Sequence, residues 1–423
     1  MLVQRAYVYR LEPTTEQAAF LAQTAGACRA LYNLALEQRS LYWRPGRSIT
    51  LVTQSRELTA LRAQFGWMAA APRHALQAAL VDLDRAFRSF FEGRAEFPRF
   101  KRRGDGDGFR LGNCLDFQWA RRNRNKGAIR LPKAGWIKLR GYRPLGGEKR
   151  WVSISSRGGH WYAAVAWQAE AVDVVPSPHP PVGIDRGVDV FAALSTGESY
   201  VAPRFLGRVG RRLDIAQRRL ARRIRGSANW RKQKARVARL HIRAADARRD
   251  FLHKASTEIA KNHGMVAIEK LQVRKMTRSG RGTVETPGTN IAQKAGLNRA
   301  ILDRGWGTFA TFLRYKLAMR GGDLIEVPPA HTSQTCAACG AVSKDNRQSQ
   351  AVFACVGCGH TANADTNAAI NILRAGRARW ACGSNHVSGR KQELSLDAAR
   401  VASRELSPLV EKTPSGLGAC FTR

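Results

Sequence analysis

Negative charge is what this sequence most lacks. Only 32 aspartates and glutamates stand against 71 lysines and arginines, a formal net charge of +39 over 423 residues. So one-sided a chain needs a polyanion, and nucleic acid is the commonest one. Long apolar runs are missing too. None approaches the ~18 residues of a membrane span, and the opening MLVQRAYVYR lacks the apolar stretch of a signal peptide. Both absences point away from a membrane or secreted protein and towards the cytoplasm. No GxxxxGK[ST] loop and no dinucleotide fingerprint occurs, which argues against ATP-driven translocation. The nine histidines show no HExxH or other paired metal spacing. At 44% hydrophobic and 8% aromatic residues the chain can still bury cores, so it is not a disordered basic tail.

Cysteine is scarce as well, eight in all, too thin a set for a disulfide framework in a chain of this length. Four of them are concentrated. Cys336, Cys339, Cys355 and Cys358 form CxxC-x15-CxxC, and each pair is followed by a glycine, Gly340 and Gly359. Glycine there permits a tight knuckle that points two thiolates at one ion. Two knuckles make a tetrahedral four-cysteine zinc site with no open position for chemistry, hence a structural one. An iron–sulfur site is the alternative, against which the glycine knuckles argue. His360 is expected on the surface of this ribbon and not among its ligands. Cys28, Cys114, Cys382 and Cys420 are scattered and carry no assigned role.

Along the chain, Arg5–Arg10 alternates as a strand. Thr14 and Gln17 have capping-box spacing, and Phe20, Ala27, Leu31 and Leu34 recur near helical period behind them. Ala75, Ala79, Leu83, Phe87 and Phe90 mark a further helical face. EFPRFKRR (96–103) closes this helical region, and DGDG (105–108) is expected as a linker turn. From Phe109 to about Val175 short alternating segments carry five of the ten tryptophans between basic residues. They suggest a small β-barrel with a surface suited to nucleic acid, although tryptophans in small barrels are commonly core. PSPHPP (176–181) is a linker. Then VGIDRGVDVFAALSTGESYVA gives three strands with a turn at Thr196–Gly197. Arg204–Lys254 holds eighteen Lys and Arg against three Asp, split into two helices at Gly226–Ser227. Strands are expected at Met265–Ile268 and Asp323–Val327. Between them lie a Gly/Thr/Arg loop over Thr277–Thr289 and one amphipathic helix over Leu297–Met319. A helix over Asp365–Leu373 follows the ribbon, and the rest is a polar tail.

Three acids stand out in this order: Asp185 in VGIDRG, Glu269 in VAIEKL and Asp365 in ANADTNAA. The first two end short apolar strands and the third opens a helix. Strands ending in carboxylates let distant acids meet around hard cations. Mg²⁺ takes oxygen ligands, and two such ions can clamp the attacking and leaving oxygens of a phosphodiester. Three strands, helices, a strand with Glu, a strand and a helix with Asp is the order of an RNase H-like nuclease core.

The blocks RLEPTTEQ, EFPRFKRR, VGIDRG, VAIEKL, GLNRAILDRGWG, TSQTCAACG and SKDNRQSQAVFACVGCGHTANADTNAAINIL resemble the transposon-encoded TnpB proteins, compact relatives of the type V CRISPR nucleases. The likeness runs from about Arg5 to Leu373. It implies a multidomain α/β protein, a β-barrel wedge domain with an inserted helical recognition lobe, then an RNase H-like (RuvC) nuclease domain interrupted by a four-cysteine zinc ribbon. On that pattern residues 1–12 are the first wedge strand, 13–104 the recognition lobe and 105–175 the rest of the wedge. RuvC covers 181–330 and resumes as a helix over 363–376, the ribbon covers 331–362, and 377–423 is a flexible tail. Asp185, Glu269 and Asp365 match the RuvC acids that hold catalytic Mg²⁺, and Cys336, Cys339, Cys355 and Cys358 match the ligands of structural Zn²⁺. The activity implied is RNA-guided cleavage of double-stranded DNA beside a short flanking motif, with a guide RNA made from the transposon end. One departure is Lys270, where many relatives carry a second acid. Competing readings are a guide-independent RNase H-like nuclease or transposase, an RNA-guided protein that binds without cutting, and a zinc-ribbon RNA-binding protein without catalysis.

Overall fold

The computed structural model describes residues 2–42, 49–104, 106–123, 126–142, 147–170, 175–283 and 285–383. The chain folds into two compact units divided between Ala171 and Val172. In the described residues no helix is long and apolar enough to cross a membrane.

The first unit starts with strand β1 (Leu2–Glu12), followed by helices α1 (Thr15–Leu41), α2 (Leu51–Gln64), α3 (Gly66–Ala70) and α4 (Arg73–Phe91). The capping box at the head of α1 forms as its sequence dictates. Thr14 Oγ1 accepts from the Gln17 amide at 3.2 Å, and Gln17 Oε1 accepts from the Thr14 amide at 3.1 Å. Leu21, Cys28, Leu31 and Ala35 are buried along α1, whereas Leu34, expected on that face, is exposed. Strands β2 (Gly108–Leu111), β3 (Gln118–Arg121), β4 (Lys126–Leu131), β5 (Gly135–Arg140), β6 (Glu148–Arg157) and β7 (His160–Glu170) complete the unit. With β1 they form one antiparallel sheet in the order β2-β6-β7-β1-β5-β4-β3. One apolar core joins it to the helices through Leu21, Leu76, Leu83, Ile129, Ile137 and Val152.

The expected barrel is not closed among the described residues. Its edge strands β2 and β3 are four residues each and do not pair. A side chain bridges from β6 instead: Lys149 Nζ donates to the Phe117 carbonyl at 2.7 Å and lies over the Phe117 ring. Of the five tryptophans only Trp161 is buried, and Trp136 lies exposed with Arg122 over its ring at 5.6 Å. Asp107, in the expected linker turn, pairs with Arg29 at 2.5 Å. Asp105 of that turn lies outside the described residues.

The second unit is built on strands β8 (Val182–Asp185), β9 (Ala192–Leu194) and β10 (Ser199–Tyr200), helices α5 (Phe205–Ala221) and α6 (Ala228–Asn262), then β11 (Met265–Glu269) and α7 (Val273–Met276). Helices α8 (Ile291–Arg304) and α9 (Trp306–Ala318), strands β12 (Asp323–Val327), β13 (Val352–Ala354) and β14 (Thr361–Asn363), and helix α10 (Ala364–Gly383) follow. The five-stranded sheet runs β10-β9-β8-β11-β12, with β8, β11 and β12 mutually parallel and β9 and β10 added antiparallel. Parallel strands covered on both faces become continuously apolar, and β11 is buried at all five positions.

Two expectations are corrected. The single helix expected over Leu297–Met319 is two, α8 and α9, because Gly305 takes a left-handed conformation (φ 68°) between them. The apolar pattern runs through that break, so periodicity alone does not mark it. The last helix, expected to end near residue 376, continues to Gly383, so residues 377–383 are helix and not tail. Residues 384–423 of the expected tail lie outside the described residues.

Helix α10 lies tightly against the sheet. A Cβ on Gly183 would overlap the Ala369 carbonyl and stand 2.6 Å from the Leu373 amide. Gly183→Ala is therefore expected to destabilise the protein by on the order of 1–3 kcal/mol, the usual cost of forcing atoms into a filled interior. A lowered denaturant midpoint checks this; an unchanged midpoint would mean that α10 does not seat on β8.

Candidate functional site

Strands β8 and β11 are neighbours, with Ile184 opposite Ile268 in register. One residue further along each parallel strand comes an acid, Asp185 and Glu269, so both carboxylates emerge at the same end of the sheet. Asp365 joins them from the first turn of α10. Asp185 feels both of the other acids. Burial, then Glu269, then Asp365 push the Asp185 carboxyl up to about 7, while Arg347 and the Arg186 amide act in the opposite sense. Asp365 is also raised, by burial first and by Asp189, against the pull of Arg347. The three carboxylates do not converge on one point: the four cysteines are the only such group, among the described residues, with ligand atoms all within 4.8 Å.

Two arginines balance this acidity, and sequence inspection singled out neither. Arg186, next to Asp185 in the chain, is buried, and its guanidinium donates to the Glu269 carbonyl and, at 3.4 Å, to the Trp306 carbonyl. Burial lowers it to about 10, with Glu269, Glu326 and Asp185 opposing that shift. Arg347 Nη2 stands 3.5 Å from Asp365 Oδ1. Thr332 Oγ1 donates to Glu269 Oε1 at 2.5 Å. All four contacts span long stretches of sequence, so no local spacing could reveal them.

The cysteine ribbon has the geometry expected of its knuckles. Gly340 (φ 80°) and Gly359 (φ 73°) are both left-handed. Each donates its amide to the carbonyl of the cysteine four residues earlier, at 3.0 Å in both knuckles. Cys336 and Cys358 sulfurs are 3.8 Å apart and those of Cys339 and Cys355 3.7 Å. Tetrahedral thiolates 2.3 Å from a single zinc ion stand about 3.8 Å from one another. The four sulfurs therefore fit one ion and leave no room for an iron–sulfur cluster. Asn346, fully buried, ties the knuckles together: its amide donates to Gln334 and Ala341 carbonyls at 2.9 and 3.2 Å, and its oxygen accepts from the Val356 amide at 3.0 Å. His360 is not part of the cysteine group.

Comparison with known proteins bears directly on this arrangement. A family model described as "Probable transposase" matches residues 166–280, one described as "Cas12f1-like, TNB domain" matches 306–372, and a "Helix-turn-helix domain" model matches 1–48. The chain is 40% identical over 398 residues to "Putative RNA-guided DNA endonuclease InsQ" of Escherichia coli (strain K12), covering 92% of this chain and 97% of that protein. The chain belongs to the TnpB family. A second TnpB relative, from Streptomyces pristinaespiralis, is 36% identical over 389 residues and covers 90% of this chain and 91% of its own length. Among solved structures, a Cas12f1 complex with sgRNA and target DNA matches with a TM-score of 0.56 at 15% identity, over 85% of this chain and 83% of that one. That likeness is one of fold, between this TnpB member and that Cas12f1 chain. Within the TnpB chain, the TNB match spans all four cysteines and Asp365.

The raised Asp185 carboxyl has a consequence for stability. Its ordinary value is 3.8 and its folded value about 7. An acid raised on folding costs nothing at low pH, where both states are protonated, and opposes folding increasingly as pH rises towards the folded value. In chelator, Asp185→Asn is therefore expected to melt above wild type at about pH 8, with the gap closing towards about pH 4. Equal melting temperatures at both pH values would contradict the burial of Asp185 beside these carboxylates.

Proposed function

We propose that the protein is an RNA-guided DNA endonuclease that cleaves double-stranded DNA beside a short flanking motif, by two-metal hydrolysis at a RuvC-type site. The observation that carries this reading is the placement of Asp185 and Glu269 at adjacent parallel strand ends, with Asp365 at a helix start whose charge acts on Asp185, in a chain that covers 97% of a relative 40% identical to it. Asp185, Glu269 and Asp365 would hold Mg²⁺, which when bound activates the attacking water and stabilises the leaving oxygen. Acids that repel one another in the absence of cations, yet are backed by buried strands, suit such a centre. Cys336, Cys339, Cys355 and Cys358 would hold structural Zn²⁺.

The strand-rich part of the first unit would be the wedge domain, and the helices inserted between β1 and β2 the recognition lobe. Within the second unit, Arg211, Arg218, Arg222, Arg225, Arg231 and Arg236 are all exposed on α5, α6 and their connection. Such a surface would grip phosphates, neutralising them by releasing counterions. Sequence choice would then fall to base pairing with a guide transcribed from the transposon end. These assignments favour a cutting enzyme over a non-cleaving binder, because all three carboxylates are present.

Asp185→Ala or Glu269→Ala should abolish cleavage in Mg²⁺ and leave RNA-dependent DNA binding within about twofold, since phosphate contacts carry the affinity. Cleavage and gel-shift assays on the same preparations check this. Cleavage near wild-type rates in either variant would remove that residue from the site.

A further inference from the structure

Helix α10 carries two asparagines four positions apart, on one helical face, that the cleavage chemistry does not use. Asn367 is fully buried and Asn371 nearly so. Asn367 Oδ1 accepts from the Ala337 amide, inside the first cysteine knuckle, at 2.8 Å. Its amide group donates to the Thr335 carbonyl at 2.8 Å. Asn371 donates to the same carbonyl at 2.7 Å and to the Thr332 carbonyl at 3.0 Å. The segment 332–337 is thus fastened to α10 by side chains, at its Thr332 end and at its cysteine end. Thr332 in turn donates its hydroxyl to Glu269 Oε1. An unbroken path of hydrogen bonds runs from the cysteine knuckle, through α10, to a carboxylate of the proposed cleavage site.

Each link is short and has a defined direction. A threonine hydroxyl 2.5 Å from a carboxylate oxygen occupies one of its acceptor sites and fixes its plane, leaving Oε2 and the remaining Oε1 position for a cation. Groups that orient a metal-binding side chain in this way commonly alter ion affinity tenfold to a hundredfold when removed. Satisfying the asparagines locally does not by itself require Thr332 to face Glu269. We propose that Thr332 is a positioning residue for Glu269, held in place by Asn371 and Asn367, and that it joins the cysteine ribbon to the carboxylate site. The proposal rests on the reading of Glu269 as a cation ligand.

The test compares Thr332→Val, which keeps the shape and loses the hydroxyl, with Thr332→Ser, which keeps the hydroxyl. Thr332 is only partly buried, so neither change threatens the fold, and thermal melting verifies that. Mn²⁺ binding to the RNA-loaded protein is measured by electron paramagnetic resonance, beside the Mg²⁺ concentration for half-maximal cleavage and the zinc content. Thr332→Val should weaken Mn²⁺ binding about tenfold or more and raise the Mg²⁺ requirement in parallel, with zinc and DNA binding unchanged. Thr332→Ser should restore both. Wild-type Mn²⁺ affinity in Thr332→Val, or equal impairment in the serine variant, would overturn the proposal. Asp185→Ala serves as the reference. If it loses Mn²⁺ while Thr332→Val retains it, only the positioning role fails; if it retains Mn²⁺, the carboxylate centre itself is wrong.

Discussion

The candidate site in the second unit turns on one electrostatic constraint: carboxylates of like charge stand at the same end of a buried sheet, where Asp185 is poorly solvated. Bringing like charges into a poorly solvated site raises their pKa values, as Asp185 records. The arrangement persists because the backbone bearing two of the acids lies in buried apolar strands that have no other place to go. Arg186 and Arg347 offset part of the repulsion. Of the two, only Arg347 is close to a carboxylate, Asp365 at 3.5 Å, and on the proposed reading the remaining negative charge is met by cations.

The third acid depends on close packing. Helix α10 approaches β8 so nearly that a glycine is required at position 183, and Gly376 meets Ala267 in the same manner further along. With α10 seated in this way, its first turn delivers Asp365 to the carboxylate end of the sheet. The asparagines on its inner face simultaneously fix the ribbon. Helix α10 thus contacts both the sheet and the ribbon.

How much of this could be read from the residues varies with the range of the interaction. The Thr14–Gln17 cap and the glycine knuckles are local, and each formed at the residues that spell it. The strand ends bearing Asp185 and Glu269 were visible because a parallel strand buried on both faces is apolar until its last residue. The break at Gly305 was not visible, since apolar residues recur on both sides and only the left-handed backbone marks the change. Closure of the first sheet depends on how short edge strands meet, which alternation does not encode. Thr332, Arg347, Asn367 and Asn371 act across gaps of 18 to 63 residues. Their identities are ordinary in isolation, and only the folded chain brings out their partners.

The +39 charge supplies affinity for any phosphate backbone and little discrimination among sequences, and on the proposed reading a bound RNA chooses the target. The most direct measurement is to reconstitute RNA-free protein with guides of two different sequences and challenge each with both matching duplexes in Mg²⁺. Cleavage should follow the guide and be absent without RNA. A cut site that ignores the guide, or equal sequence preference by the RNA-free protein, would contradict RNA-guided cleavage.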